Sequence, residues 1–255
     1  MADPVIVVSV VRDLPLYNRL FVRNRNLELC DLRMIDNRGE NRAIPVCYNR
    51  FIEQYGDAHP AWFIFCHEDF EFREPIFDRV NACPTDALYG PIGIRRVNCL
   101  LFSYFPFQGV IKGGERDGTG VEHAIGKRVG YLKEVDTFDC CCLVVHSSLI
   151  RRHGLRFDEN LLFDFYVEDF CASSRLNHGI CSRILPMDAC HHSNSVPTER
   201  LFRHIPYLKE KYPKTCIPST CGLFGTLSPY LKFQKWLQRK ATSIGRKLTG
   251  RPFVL

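Results

Sequence analysis

Ala61-Trp62-Phe63-Ile64-Phe65-Cys66-His67-Glu68-Asp69 is an unbroken apolar run that stops abruptly in an imidazole and two carboxylates. A run of this length bounded by polar residues reads as a strand covered on both faces, and in an open α/β sheet ligands gather at the carboxyl ends of such strands. His67, Glu68 and Asp69 are therefore candidates for a site. The plainer reading of the acidic pair is the solvated end of a strand, since charged residues are mostly exposed.

Upstream, residues 5–11 (Val-Ile-Val-Val-Ser-Val-Val) read as a buried first strand. Asp13 is placed to cap a helix with Pro15 in its first turn, running to about residue 24. A second strand is expected over 27–35, ending at Asp36-Asn37, and a second helix over about 45–55. Strand and helix alternating in this way predict an α/β fold with a parallel, doubly wound sheet, its ligands gathered near Ser9, Asp36 and Asp69. Downstream, strands are expected over 89–97, 99–107, 131–138, 140–145 and 180–185. Helices are expected over 147–153 and 167–177, the latter closed by Gly179. Residues 108–120, with five glycines, read as a long flexible loop. No internal repeat is present.

With 255 residues, 45% apolar and 24% charged, the chain has the composition of a folded domain. No apolar segment reaches the roughly 18–20 residues of a membrane span. The apolar run at 5–11 is too short for a signal peptide and has no basic region before it, which predicts a cytoplasmic protein. The 13 cysteines are scattered through apolar runs, so reduced, buried thiols are expected rather than disulfides. A zinc site built on Cys190, His191 and His192 lacks the usual paired ligand spacing.

The net charge of +6 belongs to the C-terminus. Nine lysines and arginines and no acid follow Glu210, leaving 25 bases against 28 acids in the first 210 residues. A globular part that is slightly acidic is not the basic face a nucleic acid requires. Tyr230, Phe233, Leu237, Ala241, Ile244 and Leu248 recur at steps of three or four among these bases, the pattern of a basic amphipathic helix. Such a helix either lies on an anionic membrane surface or packs on its own domain with a solvated basic face. The expected division is a domain over 1–212 and a basic, helical tail over 213–255.

The order of the polar motifs is the most specific signal: Asp36-Asn37 with a later Tyr48-Asn49, Cys66-His67-Glu68-Asp69, Asp136 and Asp139 in Val-Asp-Thr-Phe-Asp, Asp158-Glu159, Glu168-Asp169, and His191-His192. In this order, over about residues 5–193, the chain resembles the family 2 inverting glycosyltransferases, and more narrowly their branch similar to a streptomycin-biosynthesis protein. The resemblance implies a GT-A, Rossmann-like fold with a mixed, mostly parallel central sheet flanked by helices. It also implies transfer of a sugar, with inversion, from a nucleotide-sugar donor to a hydroxyl of a glycan or lipid-linked acceptor, in cell-envelope polysaccharide synthesis. Asp69 matches the last acid of the family's Asp-x-Asp metal motif, whose first acid is here His67. Imidazole suits manganese better than magnesium, so a divalent cation, manganese or magnesium, is expected on Asp69, His67 and either His191 or His192. Adjacent residues rarely point the same way, so one of the two histidines is expected to serve. The general base maps to Asp169, with Glu168 as the fallback. Ser9, Arg12, Asp36 and Asn37 fall where the donor is held, Asp136 and Asp139 where sugar or acceptor lies, and Cys140 replaces the family's usual glycine.

Two other functions stay open. A sugar-phosphate nucleotidyltransferase would carry a glycine-rich basic loop after the first strand, which Val11-Arg12-Asp13-Leu14-Pro15 is not. A catalytically inactive carbohydrate-binding GT-A domain is compatible with His67.

Overall fold

A computed structural model describes residues 2–55, 59–98, 103–114, 121–193 and 199–225. Strand β1 (Val5–Val11) alternates between two cores. Ile6, Val8 and Val10 lie in one with Phe63 and Phe65, and Val5, Val7 and Val11 lie in the other with Trp62, Ile64 and Cys66. Cover on both faces is why these strands show no polar alternation. Asp13 caps α1 (Leu14–Tyr17), accepting from the Leu16 amide at 3.0 Å, and the helix runs on into a wider π turn over Asn18–Val22. A 3-10 turn at Arg25–Leu27 delays β2 to Asp31–Asp36, later than the alternation predicted. Helix α2 (Ile44–Tyr55) and β3 (Trp62–Cys66) follow.

The chain continues through β4 (Phe70–Phe72), α3 (Phe77–Asn81), β5 (Leu88–Gly90), β6 (Ile92–Ile94), the short pair β7 (Val97–Asn98) and β8 (Ser103–Tyr104), β9 (Phe107–Gly114) and β10 (His123–Lys127). Then come β11 (Glu134–Val135), β12 (Thr137–Phe138), β13 (Cys142–His146), α4 (Ser147–His153), α5 (Tyr166–His178), β14 (Ser182–Ile184) and β15 (Ala189–His192). Helices α6 (Glu199–Arg203) and α7 (Ile205–Lys211) precede a hairpin, β16 (Cys216–Ser219) and β17 (Gly222–Gly225).

The fold is α/β with mixed sheets. The central sheet has the order β11-β14-β5-β13-β3-β1-β2, and three of its pairings are parallel, β1 with β2, β1 with β3 and β5 with β14. The other three are antiparallel, because β13 runs against both β3 and β5 and β11 against β14, so the sheet is less parallel than expected. A second sheet, β12-β6-β9-β15-β4, carries β10 on the β9 edge.

Strand β9 corrects the expected loop at 108–120: through Gly114 it is the middle strand of the second sheet, and residues 115–120 lie outside the described residues. Its glycines serve close packing. Gly109 has φ +80°, and a Cβ there would strike the Pro91 carbonyl. The hairpin β16–β17, within the segment expected to be a separable helical tail, docks on the domain, where the Thr137 hydroxyl donates to the Pro218 carbonyl at 2.7 Å. The expected amphipathic helix falls outside the described residues. Among those described, no helix is long and apolar enough to cross a membrane, and every cysteine is a free thiol, most of them buried.

Candidate functional site

The site forms where β3 leaves the central sheet. His67 to Asp69 make a tight turn, with the Phe70 amide on the His67 carbonyl, and carry the chain into β4 of the second sheet. There β15 pairs antiparallel with β4, His191 opposite Phe70, and the His192 amide donates to the Asp69 carbonyl at 2.9 Å. His191 Nε2 lies 3.3 Å from Asp69 Oδ1, and His67 Nδ1 lies 3.9 Å from the same oxygen. One donor atom from each of His67, Asp69 and His191 falls within 4.8 Å of the others, a spacing that can hold a metal ion. Asp139, with Cys141 and His191, forms an overlapping group of the same kind.

The tautomer of His67 follows from its neighbour. The Tyr166 hydroxyl donates its one proton to the Cys140 carbonyl at 2.9 Å, so at 3.0 Å it can only accept from His67 Nε2. Nδ1 therefore carries the lone pair and faces Asp69, the arrangement a metal-ligating histidine needs. Burial holds the ring below its ordinary pKa against the pull of Asp69, which keeps it neutral.

Glu168 and Asp169 occupy the first turn of α5, which is entered through Phe165 in a left-handed conformation (φ +66°). That conformation costs a non-glycine residue on the order of 1–3 kcal/mol. It sets the rotational phase of the helix, and the two acids part company. Glu168 turns to the site, where Cys140 Sγ donates to Oε2 at 2.9 Å and Ser219 Oγ to Oε1 at 2.6 Å. Burial raises its carboxyl to about 7, with Asp139 adding to the shift and the Cys140 and Ser219 hydrogen bonds opposing it. Asp139 accepts from the Thr220 hydroxyl at 2.6 Å and the Cys141 amide at 3.0 Å. Burial pushes the Asp139 carboxyl up, but His191 and these donors outweigh it and hold it below its ordinary value.

Asp169, the expected base, is bound elsewhere. Tyr212 donates to its Oδ1 at 2.6 Å, and Lys211 Nζ lies 2.8 Å from Oδ1 and 2.9 Å from Oδ2 while also contacting Asp158. Burial works against the Lys211 ammonium, but the Asp169 and Asp158 carboxylates outweigh it and hold the group above its ordinary pKa. This pair anchors α7, and with it the approach to Ser219 and Thr220. Lys211→Ala is expected to cost about 3 kcal/mol in urea unfolding, because it leaves the buried Asp169 carboxylate beside the half-buried Asp158 with no cation between them, and Lys211→Met with Asp169→Asn is expected to recover part of that loss. An unchanged midpoint for Lys211→Ala would contradict the anchor.

The other expected residues divide. Arg12, Asn37, His67 and Asp69 line a cleft of ≈ 270 Å³ together with Arg42, Tyr48 and Phe163. Asn37 braces its wall, bonding the Arg42 amide and carbonyl at 2.8 and 2.9 Å, and Phe163 stacks on the His67 ring at 5.2 Å. Glu68 is neither a solvated strand end nor a member of the metal-competent group: it is buried, and its Oε2 accepts from the Arg12 and Asp13 amides at 2.6 and 2.8 Å and so fixes the turn after β1. Ser9 lies inside β1, two residues short of the strand's end at Val11, and is fully buried with its hydroxyl 3.4 Å from Cys66 Sγ, so it does not reach the cleft. Asp36 is half exposed outside the cleft and clasped by Arg38, whose hydrogen bonds hold its carboxyl at about 2. Asp136 is taken by the Arg175 guanidinium and the Arg96 amide rather than joining Asp139. His192 departs from the expected ligand set, since strand alternation turns it to the opposite face of β15, where Nε2 meets Glu71 Oε2 at 3.0 Å.

Sequence reasoning missed Tyr166, Ser219 and Thr220. Tyr166 had a signal, an aromatic two residues before the acidic pair. Ser219 and Thr220 had none, because hydroxyls in a hairpin turn acquire a role only by docking. Compared with known proteins, the chain matches no family model, and no curated protein matches it.

Proposed function

We propose that this protein is an inverting glycosyltransferase that passes a sugar from a nucleotide-sugar donor to a hydroxyl of a glycan or lipid-linked acceptor. The observation that carries the reading is the convergence, at one end of the central sheet, of His67, Asp69 and His191 with Glu168, whose carboxyl is poised at about 7, beside a cleft bordered by Arg12 and Arg42. His67, Asp69 and His191 would hold a divalent cation, manganese suiting two imidazoles better than magnesium. A cation there supplies charge neutralisation to a departing diphosphate.

The remaining work falls to the chain's own groups. Arg12 and Arg42 border the cleft, Arg42 paired with Glu40, and Phe163 with Tyr48 gives it apolar walls. Tyr166 keeps the His67 lone pair aimed at Asp69. Glu168 takes the proton of the incoming hydroxyl, the role inversion requires on the face opposite the leaving group. It replaces Asp169 in this role because both Asp169 oxygens are already engaged by Lys211 and Tyr212. A carboxyl near 7 is a stronger base than an ordinary one and is still largely ionised just above neutrality. An acceptor hydroxyl would take the place of the Ser219 or Cys140 donor on Glu168.

A thermal-shift screen of nucleoside diphosphates, with and without manganese, tests this reading. One nucleoside diphosphate is expected to raise the melting temperature only when manganese is present, because a ligand bound by the native state alone stabilises it by mass action. No shift with any nucleotide, at concentrations that saturate typical donor sites, would remove the basis for the proposal.

A further inference from the structure

The opposite face of β15 carries a second cluster. Cys190 and His192 are two residues apart on one strand and so share a face, both buried. Cys190 pairs with Glu71 on β4, and His192 pairs with Gly114 on β9. The Glu71 carboxylate can only accept, so at 3.0 Å from His192 Nε2 it fixes the proton on that nitrogen. The lone pair of Nδ1 then faces Cys190 Sγ, 4.0 Å away. A carboxylate on the far nitrogen is the usual orienting partner of a metal-bound histidine.

Gly114 leaves the space that such a site requires. A Cβ at that position would lie 3.2 Å from His192 Nδ1, 3.3 Å from Cys190 Sγ and 3.7 Å from Glu122 Cγ. The missing side chain therefore opens a cradle onto a thiol, an imidazole nitrogen and the root of a carboxylate. Arg73 bridges Glu71 and Glu122, donating to Glu71 at 2.9 Å and to both Glu122 oxygens, to Oε2 at 2.7 Å, and so holds Glu122 beside the cradle. Tetrahedral zinc with ordinary Zn–S and Zn–N bonds sets sulfur and nitrogen about 3.6 Å apart, a closure of a few tenths of an ångström from the observed spacing.

We infer that Cys190 and His192, within the metal-competent group they form with Glu71, which orients the imidazole, and with Glu122 as a third ligand once one of its oxygens leaves Arg73, form a zinc-type metal site separate from the cluster at Asp69. Binding forms the metal–sulfur and metal–nitrogen bonds and releases the Cys190 thiol proton to solvent. The charges balance: the thiolate and Glu122 offset the divalent ion, and Arg73 offsets Glu71. A soft thiolate selects zinc over the manganese or magnesium suited to the harder donors on the other face. This site does not depend on the glycosyltransferase reading.

Cobalt(II) tests it, because a thiolate ligand gives cobalt a sulfur-to-metal charge-transfer band that nitrogen and oxygen ligands do not. The chelator-treated, reduced full-length protein, titrated with cobalt, is expected to develop this band, and zinc is expected to abolish it. Cys190→Ser is expected to lose it, and Gly114→Ala, which fills the cradle, is expected to weaken cobalt binding at least tenfold. Glu71→Gln is expected to weaken it by about 10–100-fold, the usual cost of losing an orienting carboxylate. Asp69→Asn is expected to keep the band. No band in the parent, or an equal band in Cys190→Ser, overturns the inference. Loss of the band in Asp69→Asn, with native circular dichroism, would assign the cobalt to the other cluster and overturn it too.

Discussion

Asp69→Asn is expected to abolish cation-dependent sugar transfer and leave the fold intact. The substitution keeps shape and volume, so circular dichroism and the melting temperature should stay close to the parent's. It removes the carboxylate oxygen that lies 3.9 Å from His67 Nδ1 and 3.3 Å from His191 Nε2. Neutralising a departing diphosphate is a matter of several kcal/mol, and each 1.4 kcal/mol or so is tenfold in rate, so kcat should fall by on the order of 10³-fold. Manganese should no longer enhance nucleotide binding in the variant. Transfer at the parent rate, with manganese still required, would move the cation to the overlapping group of Asp139, Cys141 and His191.

Glu168→Gln is expected to produce the second large effect, in two measurements at once. As the base, Glu168 must be ionised, so kcat/KM of the parent should rise about tenfold per pH unit below about 7 and level off above it. The variant should lose about 10²–10⁴-fold in kcat, the usual worth of a general base. The stability effect runs the other way. A carboxyl raised in the folded state stabilises it below the unfolded pKa, and that stability is lost as pH rises through the folded value. From 4.5 to about 7 the shift corresponds to about 3 kcal/mol between acid and alkaline pH. Urea unfolding of parent and variant at pH 5 and pH 8 isolates it. His67 and His146, whose pKa values burial lowers, change stability in the opposite sense but cancel in the difference between the two proteins. A parent–variant difference that does not change with pH would show that Glu168 is not a buried, titrating acid.

Much of the central sheet was legible because burial on both faces writes itself as unbroken apolar runs, as in Val5–Val11 and Trp62–Cys66. Capping chemistry was legible for the same local reason: Asp13 accepts from Leu16, and Gly179 closes α5 at φ +69°. Strand direction was not, since nothing in the apolar run of β13 distinguishes a parallel neighbour from the antiparallel one that it is. The glycines of β9 were misread because freedom and close packing call for the same residue.

At the site, the positions of His67, Asp69 and the adjacent histidines could be read from sequence, but the choices within pairs could not. Strand alternation says that one of His191 and His192 faces Asp69, and only the register with β4 and β9 says which. Glu168 and Asp169 point about 100° apart on a helix, and the entry through Phe165 decides which meets Asp139's neighbourhood and which meets Lys211. The hydroxyls of Ser219 and Thr220 come from a hairpin that packs against residues about 80 positions earlier, a contact with no local trace.

Release of nucleoside diphosphate from a panel of nucleotide sugars, measured at pH 8 for the parent and for Glu168→Gln with and without manganese, tests the central claim most directly. The account predicts release by the parent from at least one donor, dependent on the cation and lowered by orders of magnitude in the variant. Release that ignores manganese, or that proceeds equally fast in Glu168→Gln, would contradict it.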